Sequence, residues 1–328
     1  MPVCLIAEPI HPVATEKLEQ GGVTVRAASS PRLETIANEL TDVDAIIVRD
    51  ALPAAAMDLA PRLAIIANHG TGTNAVDVAH AHRLGIPVAY TPTSNVRSVA
   101  EHTIMLMLAA LRRVVPADEA TRAADTRFRY DQPIHSVYEK TLAVIGFGHV
   151  GKLVIAMARE FGMRVRVFSP SADPDEVRAY GVEYHSTLAS ALDGVDVVTL
   201  HRPLRDDTRH TLNRENLALL PPSAVVINTS RGGLIDEQAL AQALRDKRLF
   251  AAGLDVLDQE PMAPDSPLAG LDNVVFTPHM AGSSQEALLK TALQCADHVL
   301  NALSGRRPSA LVDPDVWQRR RFPYVSTF

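Results

Sequence analysis

Residues 141–162 read TLAVIGFGHVGKLVIAMAREFG, an apolar run followed by a glycine-rich turn and a segment with helical spacing. Gly146, Gly148 and Gly151 have G-x-G-x-x-G spacing directly between the predicted strand and the predicted helix. The first glycine permits a tight turn, the second lets a pyrophosphate approach the backbone, and the third lets helix and strand pack closely. The free N–H groups at the helix N-terminus attract an anion. A glycine-rich turn without a ligand is the simpler alternative, but the strand–turn–helix setting favours dinucleotide binding.

Short β-branched runs and helical patterns alternate beyond this turn, as they do in proteins built on a parallel sheet. The predicted strands are TLAVIGF, MRVRVFS, VEYHS, DVVTLHRP, AVVINTS, AAGLDV and NVVFTPH. Six or seven strands with intervening helices correspond to one complete doubly wound domain of the Rossmann type.

A shorter α/β series precedes the turn. Its predicted strands are VCLIAE, VTVRAA, DAIIVRD, LAIIANH and PVAYTP, and its helix NAVDVAHAHRLG ends at Gly85, a typical helix stop. A long helix over roughly 97–115 follows, and the chain becomes helical again in QEALLKTALQCADHVLNALSG. We therefore predict an α/β protein with two doubly wound parallel-sheet domains. A Rossmann cofactor domain, 98–284, is inserted into a flavodoxin-like substrate domain, 1–97 plus 285–328.

The composition is that of a globular protein with enough chain for two domains. The 328 residues are 47% hydrophobic and 21% charged, with a formal net charge of −6, which provides no basic field for nucleic acid or an anionic membrane. The longest strongly apolar run, TIMLMLAAL at 103–111, is too short to span a bilayer, and the N-terminus lacks the basic segment of a secretory signal. Cys4 and Cys295 are too few for a disulfide framework or a zinc cluster. We expect a soluble, cytoplasmic protein without a metal, a nucleic-acid partner or a membrane partner.

The residue that reads the adenosine ribose should follow the second strand, MRVRVFSP. An acidic side chain there binds the 2′-OH of NAD and repels the 2′-phosphate of NADP. The residue at this position is Ser169, which lies 21 residues after Gly148. Its neutral hydroxyl can bind either group, and strand alternation does not place the nearby Arg166 at this corner. The sequence therefore leaves both NAD and NADP as possible cofactors, and it slightly favours a site that accepts NADP.

Ionisable residues follow three successive strands, where open α/β sheets bind ligands. Arg231 follows AVVINTS, Asp255 and Glu260 follow AAGL, and His279 follows NVVF. Three of these residues have simpler explanations. Arg231 could be a solvated loop charge, Glu260 could mark a turn before Pro261, and His279 could be a structural histidine. Their coincidence at neighbouring strand ends favours a catalytic site.

The three residue types suit hydride transfer between a nicotinamide and an alcohol carbon. A histidine can take or give the hydroxyl proton because it titrates near neutrality. A carboxylate beside it orients the ring and favours the protonated form. A guanidinium can bind a substrate carboxylate through two hydrogen bonds.

The runs NTSRGGLIDEQAL, LDVLDQEP and TPHMAG, downstream of GFGHVGK, resemble the D-isomer-specific 2-hydroxyacid dehydrogenases. This family includes phosphoglycerate, hydroxypyruvate and glyoxylate reductases. The similarity extends upstream to NHGTGTNAVDVAHAHRLGIPVAYTP and SVAEHTIMLMLAALRR, so it covers most of the chain. It implies an NAD(P)-dependent oxidoreductase acting between a small 2-oxoacid and a D-2-hydroxyacid. It also implies a homodimer built on the cofactor domain.

The resemblance assigns roles to individual residues. Arg231, Glu260 and His279 would be the catalytic trio, with His279 as acid/base, Glu260 as its partner and Arg231 on the substrate carboxylate. Backbone N–H groups of the loop at 68–72 would bind the same carboxylate, which makes Asn68, His69, Gly70, Thr71 and Gly72 the substrate loop. Besides the three fingerprint glycines, the implied cofactor contacts are His149, Val150, Ser169, His201, Arg202, Pro203, Thr208, Thr229, Ser230, Asp255 and Gly282.

Departures from the family pattern narrow the prediction. Asn68 lies where phosphoglycerate dehydrogenases typically have Arg, which argues against a phosphorylated substrate, although Arg49 could supply positive charge. Arg202 lies where small or apolar residues are common and could alter cofactor or substrate contacts. Glu260 argues against formate dehydrogenases of this fold, which pair the histidine with Gln.

Two rival hypotheses share the fold. One is a dinucleotide-sensing binding module of the corepressor type, against which the compact length weighs. The other is phosphite oxidation by the same trio, which only a substrate test can separate from hydroxyacid chemistry. Glyoxylate, hydroxypyruvate, pyruvate and bulkier aromatic acids all stay open as substrates.

Overall fold

The computed structural model describes residues 1–30, 36–49, 51–73 and 76–322. Three predicted features extend outside these residues. They are the end of the strand DAIIVRD, the start of the helix at 74–85 and the end of the substrate domain. The chain forms two compact units. The first unit comprises Met1–Val96 and the stretch that begins at Ser283, and the second comprises Arg97–Gly282.

The first unit contains all five predicted strands in one parallel sheet. These are β1 (Val3–Ile6), β2 (Thr24–Ala27), β3 (Ala45–Val48), β4 (Ile65–Asn68) and β5 (Val88–Ala89), in the order β2-β1-β3-β4-β5. This is the flavodoxin-like order. The helices here are α1 (Val13–Gln20), α2 (Ala54–Asp58) and α3 (Val78–Arg83), with a short 3-10 helix at Ala37–Glu39. Every residue of β3 and β4 is buried, as expected for parallel strands covered on both faces.

The second unit begins with helices rather than a strand. The single helix predicted over roughly 97–115 is two helices, α4 (Val96–Leu111) and α5 (Val114–Arg122), because Arg113 adopts the left-handed conformation at φ 49°. Apolar spacing continues across this break, so periodicity alone does not reveal it. The polar stretch after it contains a short helix, α6 (Phe128–Asp131).

A seven-stranded parallel sheet forms the rest of the second unit, in the order β12-β11-β10-β9-β6-β7-β8. All seven predicted strands occur. In chain order the elements are β6 (Thr141–Ile145), α7 (His149–Glu160), β7 (Arg164–Phe168), α8 (Pro174–Ala179), β8 (Glu183–Tyr184), α9 (Leu188–Leu192), β9 (Val197–Leu200), α10 (Arg214–Leu217), β10 (Val225–Asn228), a 3-10 helix at Gly232–Leu234, α11 (Glu237–Arg245), β11 (Ala251–Leu254) and β12 (Val274–Phe276).

Separate apolar clusters cover the two faces of this sheet. Val226 and Leu240 belong to one cluster, and Val144 and Ile227 belong to the other. Neighbouring residues of a strand point to opposite faces, so Val226 and Ile227 enter different clusters.

The end of the chain returns to the first unit. Helix α12 (Gln285–Leu303) packs against α1 and β4, and the Ser284 hydroxyl accepts a hydrogen bond from the Ala287 N–H at its start. Leu311 then pairs with Ala89, and a 3-10 helix follows at Pro314–Arg319. Within the described ranges, the structure contains no helix that is both long and apolar enough to cross a membrane.

Candidate active site

The three fingerprint glycines occupy three different environments. Gly146 has φ +118°, and a Cβ there would lie 2.5 Å from the backbone oxygen of His201. A Cβ on Gly151 would overlap the carbonyl oxygen of Gly146, whereas a Cβ on Gly148 would meet no atom within 4 Å. The turn therefore requires glycine at the outer two positions for folding and has open space at the middle one. An open backbone at this point is what a pyrophosphate needs, so the turn fits a dinucleotide.

Helix α7 begins directly after this turn. Its N-cap is Gly148, which has no side chain, so no side chain caps the helix. The first N–H groups of an α-helix have no partner within the helix, and they carry a partial positive charge. His149 and Val150, both predicted cofactor contacts, are the first two residues of this helix.

Ser169 directly follows β7 and is buried, with 5% of its surface exposed. Arg166 does not lie free at this corner, because its guanidinium donates to the Asp193 carbonyl at 2.7 Å and pairs with Glu183 at 3.4 Å. Asp173, the next acidic residue, accepts a hydrogen bond from the Asp175 N–H and caps α8.

The loop after β9 contains four predicted cofactor residues. The Thr208 hydroxyl lies 2.8 Å from the Pro203 carbonyl oxygen and accepts the Arg205 N–H at 2.7 Å, which closes the loop on itself. The His201 ring lies 3.0 Å from the Thr199 hydroxyl, and burial lowers its pKa to about 3. The Arg202 carbonyl accepts a hydrogen bond from Ser230, another predicted contact, at 2.7 Å.

His279 and Glu260 form a hydrogen-bonded pair. The ring Nδ1 of His279 lies 2.6 Å from Oε2 of Glu260, and the other carboxylate oxygen, Oε1, accepts the Leu257 N–H at 2.9 Å. The carboxylate is thus oriented by its own loop and in turn orients the ring, whose Nε2 takes no part in this pair.

Arg231 lies on the neighbouring loop. Burial lowers the pKa of its guanidinium, and the negative charge of Glu260 opposes that effect. The Arg231 Nη1 donates to the Ser230 carbonyl at 2.6 Å. A Cβ on Gly232 would overlap the backbone of Leu257, so this glycine lets the Arg231 loop pack against the loop that carries Glu260. The structure thus brings all three predicted catalytic residues to one edge of the sheet.

Asp255 fixes the backbone around His279. Its Oδ1 accepts hydrogen bonds from the Thr277 hydroxyl at 2.5 Å and the Met280 N–H at 2.8 Å, and its Oδ2 accepts the Ala281 N–H at 2.9 Å. Burial raises the pKa of Asp255, but its hydrogen bonds, including one from His102, outweigh burial and lower the pKa overall.

His102 and Thr277 are site residues that sequence reasoning missed. The His102 Nε2 lies 2.9 Å from the Thr277 Oγ1 and 3.4 Å from the Asp255 Oδ1. Thr103, the next residue of α4, shares a hydrogen bond of 2.7 Å with Thr229, a predicted cofactor contact. No sequence signal joins α4 to these strand ends, because the two lie far apart in the chain.

The predicted substrate loop, 68–72, lies at the end of β4 in the first unit. The buried Asn68 side chain donates to the carbonyls of Gly70 and Gly72, both at 3.0 Å, so its amide shapes the loop. Burial and the charge of Arg49 lower the pKa of His69 to about 4. The backbone N–H groups of His69 and Gly70 already donate to carbonyls of the same unit. The Thr71 hydroxyl lies 2.9 Å from Asn95 Oδ1.

Comparisons with known proteins agree with this architecture. Residues 104–281 match the family model described as "D-isomer specific 2-hydroxyacid dehydrogenase, NAD binding domain". The chain is 35% identical over 291 residues to a glyoxylate reductase of Korarchaeum cryptofilum, covering 87% of each protein. It is 34% identical over 319 residues to a D-3-phosphoglycerate dehydrogenase of Methanocaldococcus jannaschii. That alignment covers 96% of this chain but only 60% of the relative's length.

A solved structure is similar over nearly the whole chain. It is an NADPH-dependent glyoxylate/hydroxypyruvate reductase from Sinorhizobium meliloti in complex with NADP and malonate. The TM-score is 0.83 at 28% identity, covering 95% of this chain and 96% of that one. The chain belongs to the D-isomer-specific 2-hydroxyacid dehydrogenase family, which confirms the predicted resemblance and fold class. The second unit is an NAD-binding domain of this family, and its cofactor is NAD or NADP.

Proposed function

We propose that this protein reduces a small 2-oxoacid to the D-2-hydroxyacid with NADH or NADPH, and catalyses the reverse oxidation. The observation that carries the proposal is the 2.6 Å contact between His279 Nδ1 and Glu260 Oε2 beside the partly buried Arg231. An acid/base, its orienting carboxylate and a carboxylate-binding cation are the groups that this reaction needs. They lie in the same unit as the fingerprint turn.

In the reduction, each residue of the trio has a separate task. The bound nicotinamide supplies the hydride. Arg231 binds the substrate carboxylate and polarises the adjacent carbonyl. His279 donates the proton from its Nε2 to the carbonyl oxygen, and Glu260 stabilises the protonated ring before that transfer. In the oxidation, His279 accepts the hydroxyl proton instead.

Substrate contacts from the first unit are also part of the proposal. We assign residues 68–72 to the substrate on the family resemblance. The Asn68 amide is engaged within its own loop, which favours a role in holding the loop's shape. A glyoxylate reductase among the relatives supports a small, unphosphorylated 2-oxoacid as the substrate.

The test is oxidation of NADH and of NADPH by the purified protein against glyoxylate, hydroxypyruvate, pyruvate and an aromatic 2-oxoacid. Turnover of one or more of these acids is the expected result. Binding of a dinucleotide without turnover of any acid would contradict the proposal and favour the corepressor-type sensor. Oxidation of phosphite with NAD(P)+, together with no turnover of any of the acids, would favour the hypothesis of a phosphite dehydrogenase.

We also propose that the protein forms a homodimer through its second unit. Several large apolar side chains between residues 105 and 138 are exposed, namely Met105, Val114, Val115, Tyr130, Ile134 and Tyr138. Burial of such side chains is a common driving force of association. Light scattering coupled to size exclusion should give twice the monomer mass for the parent protein and a monomer for Ile134→Asp. A monomeric parent protein would contradict the proposal.

The cytoplasm is the location that we propose. Cys4 and Cys295 are both free and buried, which suits a reducing compartment. Cell fractionation with antibody detection tests this location, and enrichment in a membrane or exported fraction would contradict it.

A further inference from the structure

Arg202 has an unusual environment for an arginine. It lies one residue beyond His201 at the carboxyl end of β9, and only 19% of its side chain is exposed. Arginine side chains are mostly exposed, so one that is largely covered usually has a partner. Within the described part of the chain, its ion-pair partner is Asp207, at 3.7 Å from Nη2, and the Asp207 side chain is 68% exposed. An exposed ion pair of this length contributes little.

The Arg202 side chain extends from the end of one strand to the end of another. Strands β9, β6 and β7 are neighbours in that order. The Cγ of Arg202 lies 3.2 Å from the position that a Cβ on Gly146 would occupy, beside the fingerprint turn after β6. Its guanidinium carbon lies 5.9 Å from the ring centroid of Phe168, the last residue of β7. The positive charge is therefore held beside the side chain of Phe168, the residue that precedes Ser169.

This corner is where a dinucleotide-binding domain reads the 2′ position of the adenosine ribose. Domains specific for NAD have a carboxylate there, which repels a phosphate. Here the residue is Ser169, and Asp173 is engaged at the start of α8. The other nearby arginine, Arg166, is committed to Asp193 and Glu183. The Arg202 guanidinium, by contrast, has only the long contact with the exposed Asp207.

We propose that Arg202, together with Ser169, binds the 2′-phosphate of NADPH and makes NADP(H) the preferred cofactor. A guanidinium presents two parallel N–H groups to phosphate oxygens, and a buried one is pre-positioned for them. The Ser230 hydroxyl donates to the Arg202 carbonyl and anchors its backbone. The proposal rests on the proposed function, because it assigns a specificity-determining residue to the cofactor site of that reaction.

The experiment measures nucleotide affinity directly by calorimetry, without a substrate. The probes are NADPH and NADH, and the pair 2′,5′-ADP and 5′-ADP isolates the phosphate. The parent protein should bind the phosphorylated member of each pair about tenfold to a hundredfold more tightly. Arg202→Leu should abolish this ratio by weakening binding of the phosphorylated member of each pair, and Arg202→Lys should retain part of it. Arg205→Leu, at an exposed arginine in the same loop, is the matched control and should keep the ratio.

Two further results keep the test decisive. If Arg202→Leu does not fold, as judged by the loss of its thermal transition, the variant Ser169→Asp is measured in its place. A carboxylate at that position should reverse the preference toward NADH. An unchanged ratio in folded Arg202→Leu, or equal affinity of the parent protein for both nucleotides, would overturn the role of Arg202 and leave the proposed reaction standing. Failure of the parent protein to bind any of the four probes would instead overturn the proposed reaction.

Discussion

The imidazole Nδ1 of His279 lies 2.6 Å from the carboxylate Oε2 of Glu260. The two residues come from different loops after successive strands of the sheet, and each loop has its own anchor. The Leu257 N–H fixes the Glu260 carboxylate, and Asp255 fixes the backbone on the C-terminal side of His279. The ring orientation is therefore set by the fold before any substrate binds.

Replacing His279 by Ala should remove the proton donor but leave the fingerprint turn intact. Positioned general acids contribute about 10²- to 10⁴-fold, so kcat for 2-oxoacid reduction should fall by about that factor. Nucleotide affinity, measured by fluorescence titration, should change less than about twofold. Near-normal turnover by this variant would show that another group is the acid.

Glu260→Gln should lower the rate of the reaction through the orientation of the His279 ring. The carboxylate lies 2.6 Å from the ring Nδ1, so its replacement should lower kcat for 2-oxoacid reduction by about tenfold to a hundredfold. Asp258→Asn is the matched control, because Asp258 pairs with Arg209 at 3.1 Å rather than with His279. Equal kcat values in the parent protein and Glu260→Gln would contradict the pairing.

Thr277 should act on turnover through the position of His279. Its hydroxyl joins His102 to Asp255, so Thr277→Val breaks the network while keeping the side-chain volume. Misplacement of the loop should lower kcat by about tenfold to a hundredfold with little change in nucleotide affinity. Thr277→Ser, which keeps the hydroxyl, should restore most of the rate. If Ser and Val variants were equally slow, the hydroxyl would not be the active feature.

Alanine at two fingerprint glycines should have opposite effects. A Cβ on Gly151 would overlap the Gly146 carbonyl oxygen, so Gly151→Ala should lower the free energy of unfolding by about 1–3 kcal/mol. A Cβ on Gly148 meets no protein atom, so Gly148→Ala should stay within about 0.5 kcal/mol of the parent protein. It should nevertheless weaken dinucleotide binding, because the methyl group enters the phosphate space. Chemical denaturation and calorimetry test both effects, and unimpaired binding by Gly148→Ala would contradict this account of the turn.

His298 should make the protein less stable in mild acid. Burial lowers the pKa of its imidazole, and its Nε2 lies 3.0 Å from the Tyr90 carbonyl oxygen. Below about pH 6.5 the unfolded chain binds a proton at this residue before the folded chain does. His298 should therefore contribute up to about 1.4 kcal/mol per pH unit to the fall in the free energy of unfolding, until the pH reaches its folded-state pKa.

His298→Gln keeps an N–H donor but cannot titrate, so it should reduce the slope of stability against pH by up to about one proton below about pH 6.5. Denaturant titrations at several pH values give these slopes. Parallel curves for the parent protein and His298→Gln would exclude a neutral buried His298.

The sequence by itself determined the features that depend on local spacing. Strands and helices have different side-chain periods, so the twelve strands of the described residues could all be located from the sequence. The glycine spacing at 146–151 identified the dinucleotide turn, because the steric need for glycine arises within a few residues. The order of Arg231, Glu260 and His279 after successive strands was enough to predict that they share one edge of a sheet.

Only the tertiary structure decided which distant residues meet. Three features have no signal in the local sequence. They are the break of the predicted long helix at Arg113, the use of the Asn68 amide within its own loop and the contact of His102 with Thr277. Arg202 lies next to Phe168 because β9, β6 and β7 are neighbours in the sheet, and strand order is set by packing over the whole domain. Local periodicity specifies where a strand is, but the burial of many side chains together determines which strand lies beside it.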